Sequence, residues 1–283
     1  MIVQANVHGA ISLVNAIATG KGATLGIDLN VKAEIENTPG RGISIESENR
    51  SLSSRLINKT VEKVVPKREL EKNKLHIFLK SDIPTGYGLK SSSAISSSVA
   101  LACAKIFKNK INDSQVLLAG VEASIETKVS ITGAYDDACA CYYGGFTITD
   151  NLKRKLVHSE KGPKNLAAVI FIPKSRKRGN VKKLCSLKPV FEKAWNLARD
   201  SDYWNAMILN GLATSAILNS DPKIITDLIE KGALGASVSG NGPAIAAVAK
   251  KDNLSGIKKV FSNLEGRTVV SEINNKKAEV HEL

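Results

Sequence analysis

Apolar and polar positions alternate, or recur every three to four residues, in segments that divide the chain into short strands and amphipathic helices. Residues 2–6 alternate as a strand, and 24–29, 31–36 and 43–47 read as three more. The turn Pro39-Gly40-Arg41-Gly42 separates the last two. Leu52, Leu56, Thr60 and Val64 repeat every four residues and predict a helix over 52–65. The apolar run 75–79 predicts a strand, and Ile95, Val99, Cys103 and Ile106 line one face of a helix over 94–107. Asp113 or Ser114 is placed to cap a helix over 115–127. Further along, 167–172, 236–238, 244–249 and 268–273 read as strands. Helices are expected over 189–199, 203–219 and 222–231 and around Leu254, Ile257, Phe261 and Leu264. The polar tail from Asn274 is expected to fray. The polar stretch 150–165, which holds Gly162-Pro163, is the expected boundary between two halves, and no internal repeat is evident.

With 283 residues and 43% hydrophobic content the chain can bury a proper core, and charged residues at 24% are ordinary for a folded protein. No apolar run reaches the ~20 residues of a membrane span. The start of the chain lacks the basic, then long apolar, pattern of a signal peptide. Cys103, Cys139, Cys141 and Cys185 form neither a disulfide framework nor a zinc pattern, so reduced thiols in a cytoplasmic protein are expected. The net charge of +13 draws anions. The lysines are spread out and aromatic residues are only 5%, which is not the interleaved surface that stacks single strands, so no nucleic-acid partner is expected. The densest basic cluster is Lys174-Ser175-Arg176-Lys177-Arg178, either a solvated loop or one that helps hold an anionic substrate.

The most informative stretch is Pro84-Thr85-Gly86-Tyr87-Gly88-Leu89-Lys90-Ser91-Ser92-Ser93-Ala94. It lies between a predicted strand and a predicted helix. Glycines let the backbone approach an anion, unpaired N–H groups at the helix start point at it, and serine hydroxyls can donate to it or ligate magnesium. It is not a Walker A loop, because Leu89 separates Gly88 from Lys90. Two more elements stand out. One is the acidic turn Thr132-Gly133-Ala134-Tyr135-Asp136-Asp137-Ala138, which runs to Gly144-Gly145. The other is the loop Ser237-Val238-Ser239-Gly240-Asn241-Gly242-Pro243. No Gly-x-Ser-x-Gly occurs and none of the four histidines has an evident partner, which argues against a serine hydrolase.

The order and spacing of these three elements resemble the GHMP kinase superfamily over nearly the whole chain. Val7-His8-Gly9-Ala10 leading to Asn15-Ala16 and Gly20-Lys21-Gly22, together with the double acid, resemble its archaeal shikimate kinase branch. The resemblance implies an α+β, two-domain GHMP kinase-like fold. Residues 1–155 would form a ribosomal-protein S5 domain 2-like half with the phosphate-binding loop, and 156–283 a ferredoxin-like half. It implies ATP-dependent phosphorylation of the 3-hydroxyl of shikimate with Mg2+, by a monomer or homodimer in the cytoplasm, with no membrane partner. Residues 84–94 would hold ATP, with Ser92 and Glu126 at the metal. His8, Asn15, Gly240, Asn241 and Gly242 would line the acceptor. Aligned backwards from Gly144-Gly145, Asp137 falls on the catalytic aspartate, with Asp136 as the alternative. Adjacent side chains on a helix diverge by about 100°, so only one of the two acids should face the substrate. Some members place a lysine in the first motif, where this chain has Ala10. Lys21 or another cation could serve instead, or magnesium and backbone amides could suffice. The rivals are a homoserine or mevalonate kinase and, in a different class, a basic nucleic-acid-binding protein.

Overall fold

The computed structural model describes residues 1–48, 52–108 and 110–283. The chain opens with β1 (Ile2–Val14), β2 (Lys21–Pro39) and β3 (Gly42–Ser47). Two helices, α1 (Ser54–Val64) and α2 (Lys67–Leu70), precede β4 (Asn73–Ser81). Then come α3 (Ser91–Phe107), α4 (Asp113–Glu126), α5 (Tyr135–Tyr143), β5 (Phe146–Asp150) and β6 (Lys155–Glu160). The remainder is β7 (Leu166–Pro173), a short 3-10 helix (Val181–Leu187), α6 (Lys188–Arg199), α7 (Tyr203–Ile217), α8 (Pro222–Glu230), β8 (Gly235–Val238), β9 (Ile245–Lys250), α9 (Leu254–Phe261), β10 (Gly266–Glu272) and β11 (Glu279–Glu282).

One sheet has the order β11-β1-β2-β4-β3, with β5 pairing β2 beyond β4 and β6 pairing β5. The second has the order β10-β7-β9-β8. The division expected at 155/156 coincides with the first residue of β6, which belongs to the first sheet, and the last strand of the chain also returns to that sheet. Both α6 and α7 contact β1, and α7 also contacts β8, so this helix pair joins the two sheets. Tyr203 stacks on Phe146 with ring centroids 3.9 Å apart, and Trp195 Nε1 donates to the Thr149 carbonyl, which closes that seam.

Several expectations change. The first strand runs on through Val14, with register shifts at His8/Gly9 and Ser12/Val14, and the two strands expected at 24–36 are one long strand. Gly26 lets β2 pass close to the Gly144-Gly145 corner, where a Cβ would lie 2.9 Å from the Gly144 Cα. The polar tail does not fray. Val3↔Glu282 through Asn6↔Glu279 pair antiparallel, so main-chain hydrogen bonding holds a segment whose side chains are mostly exposed. The cap of α4 is Asn112, whose Oδ1 accepts from Gln115 N at 3.2 Å, just ahead of the two residues expected, Asp113 and Ser114.

The helix that carries the site is α3. Its small residues Ser91, Ser93, Ala94, Ser96, Ser97, Ser98, Ala100, Ala102 and Ala104 are all buried, and the helix packs on both β1 and β2. Larger side chains at those positions would hold the helix off the sheet. Close packing therefore fixes the helix start, and with it the loop before it.

Candidate active site

Residues 84–90 cross from β4 to α3 with Gly86 at φ 84°, Gly88 at φ 83° and Lys90 at φ 66°. The last is left-handed backbone for a residue with a side chain, a conformation that costs of order 1–2 kcal/mol. The first helical turn closes with Ala94 N donating to the Lys90 carbonyl at 3.0 Å. The N–H groups of Ser91, Ser92 and Ser93 are thus left at the helix start without an intrahelical acceptor. These three serines border a cavity of about 250 Å3.

The other two loops close on this one. Ser239 Oγ donates to the Gly88 carbonyl at 2.9 Å, and Ala244 N donates to the Tyr87 carbonyl at 3.2 Å. The approach is so close that a Cβ on Gly88 would lie 1.9 Å from the Ser239 carbonyl oxygen. The end of β1 forms the third side. Ser12 Oγ accepts from Gly240 N at 3.0 Å, and Asn15 Nδ2 donates to the Gly240 carbonyl at 2.7 Å. Asn210 on α7 fixes Asn15 by accepting from its main-chain N–H at 2.9 Å. Gly88→Ala should therefore wedge the two loops apart. We expect a loss of turnover of about 100-fold or more, the scale of a 1 Å misplacement of reacting groups. Steady-state kinetics of the folded variant would check this, and turnover within threefold of wild type would contradict it.

The centre of the site is an ion pair. Lys90 Nζ lies 2.8 Å from Asp137 Oδ1 and donates to Ser12 Oγ at 2.7 Å. The lysine side chain is 4% exposed and the aspartate 19%. Burial works to lower the Lys90 pKa, but the carboxyl groups of Asp137 and Asp136 outweigh it and the net shift is upward. The cation beside Asp137 is therefore Lys90, from the glycine loop itself. Lys21 lies elsewhere, 4.9 Å over the ring of Trp195.

The two adjacent acids take different partners, although both border the cavity. Asp137 faces Lys90, whereas Asp136 is buried against Asn151, whose Nδ2 donates to Asp136 Oδ1 at 2.7 Å.

Among the other candidates, Gly86, Gly88 and Ser91 to Ser93 border the cavity, as do Asn15, Gly240 and Asn241. Pro84, Thr85, Tyr87, Leu89, Ala94 and Gly242 do not border it; they shape the loops behind it. His8 also lies outside it: its Nδ1 is 3.3 Å from Asp28, and burial lowers its pKa against the pull of that carboxylate. Glu126 also lies outside the cavity. Its carboxylate is paired with Lys63 and, at 3.6 Å, with Lys59, on the surface between α1 and α4. Ser124, two residues earlier, borders the cavity in its stead. On α4, residues two apart face nearly opposite sides, so both cannot point inward.

Of the basic cluster at 174–178, for which the sequence leaves open a solvated loop or one that helps hold an anionic substrate, Arg178 borders the cavity and donates from Nη1 to the Asn241 carbonyl at 3.5 Å. Its neighbour Arg176 lies 5.2 Å over the ring of Tyr87. The basic cluster at 174–178 was the available signal, and it does reach the site.

Residues 55–145 match the family model described as GHMP kinases N terminal domain. The shikimate kinase of Methanobrevibacter smithii is 34% identical over 94% of this chain and 95% of that protein. The chain belongs to the shikimate kinase family of GHMP type. The shikimate kinase of Methanosarcina mazei is 36% identical over 94% of this chain and 92% of its own. The fold agrees: the crystal structure of the Methanococcus jannaschii mevalonate kinase superposes with a TM-score of 0.76 over 97% of this chain and 98% of that one, at 18% identity. The α+β, GHMP kinase-like fold that the resemblance implies is therefore the fold of this chain, built here on two sheets. Among the described residues, no helix is long and apolar enough to cross a membrane.

Proposed function

We propose that this kinase transfers the γ-phosphoryl group of ATP to the 3-hydroxyl of shikimate, giving shikimate 3-phosphate and ADP for aromatic amino-acid synthesis in the cytoplasm. The observation that carries the reading is the convergence of three distant loops on one cavity with the Lys90–Asp137 pair at its wall. The bond from the γ-phosphorus to the β,γ-bridging oxygen breaks, and a bond to the shikimate oxygen forms. The hydroxyl proton passes toward Asp137, and ADP departs. Lys90 holds Asp137 in place and offsets its charge. The main-chain N–H groups of Ser91 to Ser93 meet the phosphates, with the positive end of α3 behind them. Arg178 is the basic side chain at the cavity that is not committed to an ion pair among the described residues, so it is our choice to meet an incoming anionic group such as the substrate carboxylate.

Magnesium in such sites is held by one or two protein oxygens plus phosphates and water. Among the described residues no group of three His, Cys, Asp or Glu side chains converges to hold a metal, which suits an ion that arrives with the nucleotide. The Ser92 hydroxyl at the cavity wall fits one ligand position. The ion would neutralise charge that spreads over the phosphoryl oxygens. Ser92→Ala should raise the magnesium concentration for half-maximal rate by about tenfold. A titration of rate against free magnesium measures this, and an unchanged midpoint removes Ser92 from the metal.

ATP consumption coupled to ADP detection, with shikimate, homoserine and mevalonate offered separately, tests the reading as a whole. Turnover should appear with shikimate. Turnover only with homoserine or mevalonate, or with none of the three, would overturn it.

A further inference from the structure

Asp136 is buried deeper than Asp137 and, among the described residues, has no cation of its own. Lys90 Nζ is paired with Asp137 and Ser12, so one buried ammonium stands beside two carboxyl groups. The neighbours of Asp136 are otherwise neutral. Asn151 Oδ1 accepts from Thr149 Oγ1 at 2.8 Å and from Asp136 N at 3.0 Å. Those two donors fix the Asn151 amide so that its Nδ2 faces Asp136 Oδ1. From β2, Thr24 Oγ1 donates to the Asp136 main-chain carbonyl, and Gly22 packs so tightly that a Cβ there would lie 2.3 Å from Asp136 Oδ2. The titratable groups around it are Asp137 and Cys139 on α5, Lys90 at the head of α3, and Cys141. A second unpaired negative charge in this setting would be costly.

We propose that Asp136 works as an uncharged carboxylic acid, a proton-bearing brace that leaves Lys90 to serve Asp137 alone. This rests on the reading of Asp137 given above. Asp136 is then a positioning residue. It anchors the first turn of α5 to Asn151 and so sets the direction of the next side chain, without adding charge to the pair. Burial first, and then the neighbouring Asp137 carboxylate, push its carboxyl up to about 7; Lys90, Asn151 and the Asp137 main chain pull the other way and do not prevail.

The linkage has a definite sign. A carboxyl raised on folding contributes stability that is fully present below its ordinary 3.8 and is lost as pH rises toward about 7. The D136N side chain matches the protonated acid in shape and hydrogen bonding and does not titrate. The melting temperature of D136N minus that of wild type should therefore climb between about pH 4 and about pH 7 and level off above. Infrared difference spectra of the free protein, wild type minus D136N at pH 6, should contain the carbonyl band of a protonated carboxyl. D136N should turn over at least tenfold faster than D136A, which loses the brace. A missing band, a melting difference that is flat with pH, or D136N turnover no better than that of D136A would each overturn the proposal. The first two readouts need no substrate, so they fail independently of the shikimate assignment.

Discussion

Lys90→Met should lower both stability and turnover sharply. The substitution keeps an unbranched chain of similar length but removes the ammonium between Asp137 and Ser12. Breaking a buried pair by removing one partner typically costs about 3–5 kcal/mol, because the remaining charge is left uncompensated. For a chain of this size that corresponds to a fall in melting temperature on the order of 10 °C. The Ser12 hydroxyl also loses its donor while it still joins β1 to the Gly240 loop. Turnover should drop by about 100-fold or more, the scale seen when one preorganised charged partner is deleted. The effect should hold across neutral pH. Lys90 has a raised pKa, so its contribution is present below its ordinary 10.5 and fades only as pH rises through the higher folded value. Calorimetry and steady-state rates on the same preparation measure both quantities. A variant that melts with wild type would show that the pair does not hold the loops together.

That lysine also marks how far the residue pattern could be read. The glycine loop was legible because Gly86, Gly88 and three serines ahead of an apolar helix make a local signal, and the order of the three loops pointed to the fold. What Lys90 faces was not legible. Its partner is 47 positions away, and its direction depends on a left-handed backbone at Lys90 and on where α5 packs, neither of which leaves a trace in spacing. The choice between Asp136 and Asp137 was open for the same reason. The 100° divergence says that the acids part, and only Asn151 on one side and Lys90 on the other say which goes where. Placing Glu126 at the metal rests on a loose alignment of a helix end, and two helical steps, the distance from Ser124, turn a side chain from cavity to surface. The tail 279–282 carries no apolar alternation to announce a strand, since what holds it is the free edge of β1.

Asp137→Asn should reduce turnover at least about 1000-fold while the affinity for ATP changes little. The substitution keeps volume and removes the carboxylate that pairs with Lys90 at the cavity wall. Loss of a positioned proton acceptor accounts for about 10²–10⁴ in rate, and the amide of the variant cannot take a proton from the attacking hydroxyl. The variant also leaves the Lys90 ammonium buried without its counter-charge, so it should melt well below wild type, and that raises the question of whether lost activity merely reports unfolding. The double variant K90M/D137N answers it. With both charges gone, no ion is stranded in the interior, and the double variant should recover a large part of the stability that each single change removes. Its turnover should nevertheless stay at the D137N level. Stability restored without activity would assign Asp137 to the chemistry and Lys90 to holding it. Activity restored along with stability would mean that the pair is structural and that the proton of the acceptor hydroxyl goes elsewhere.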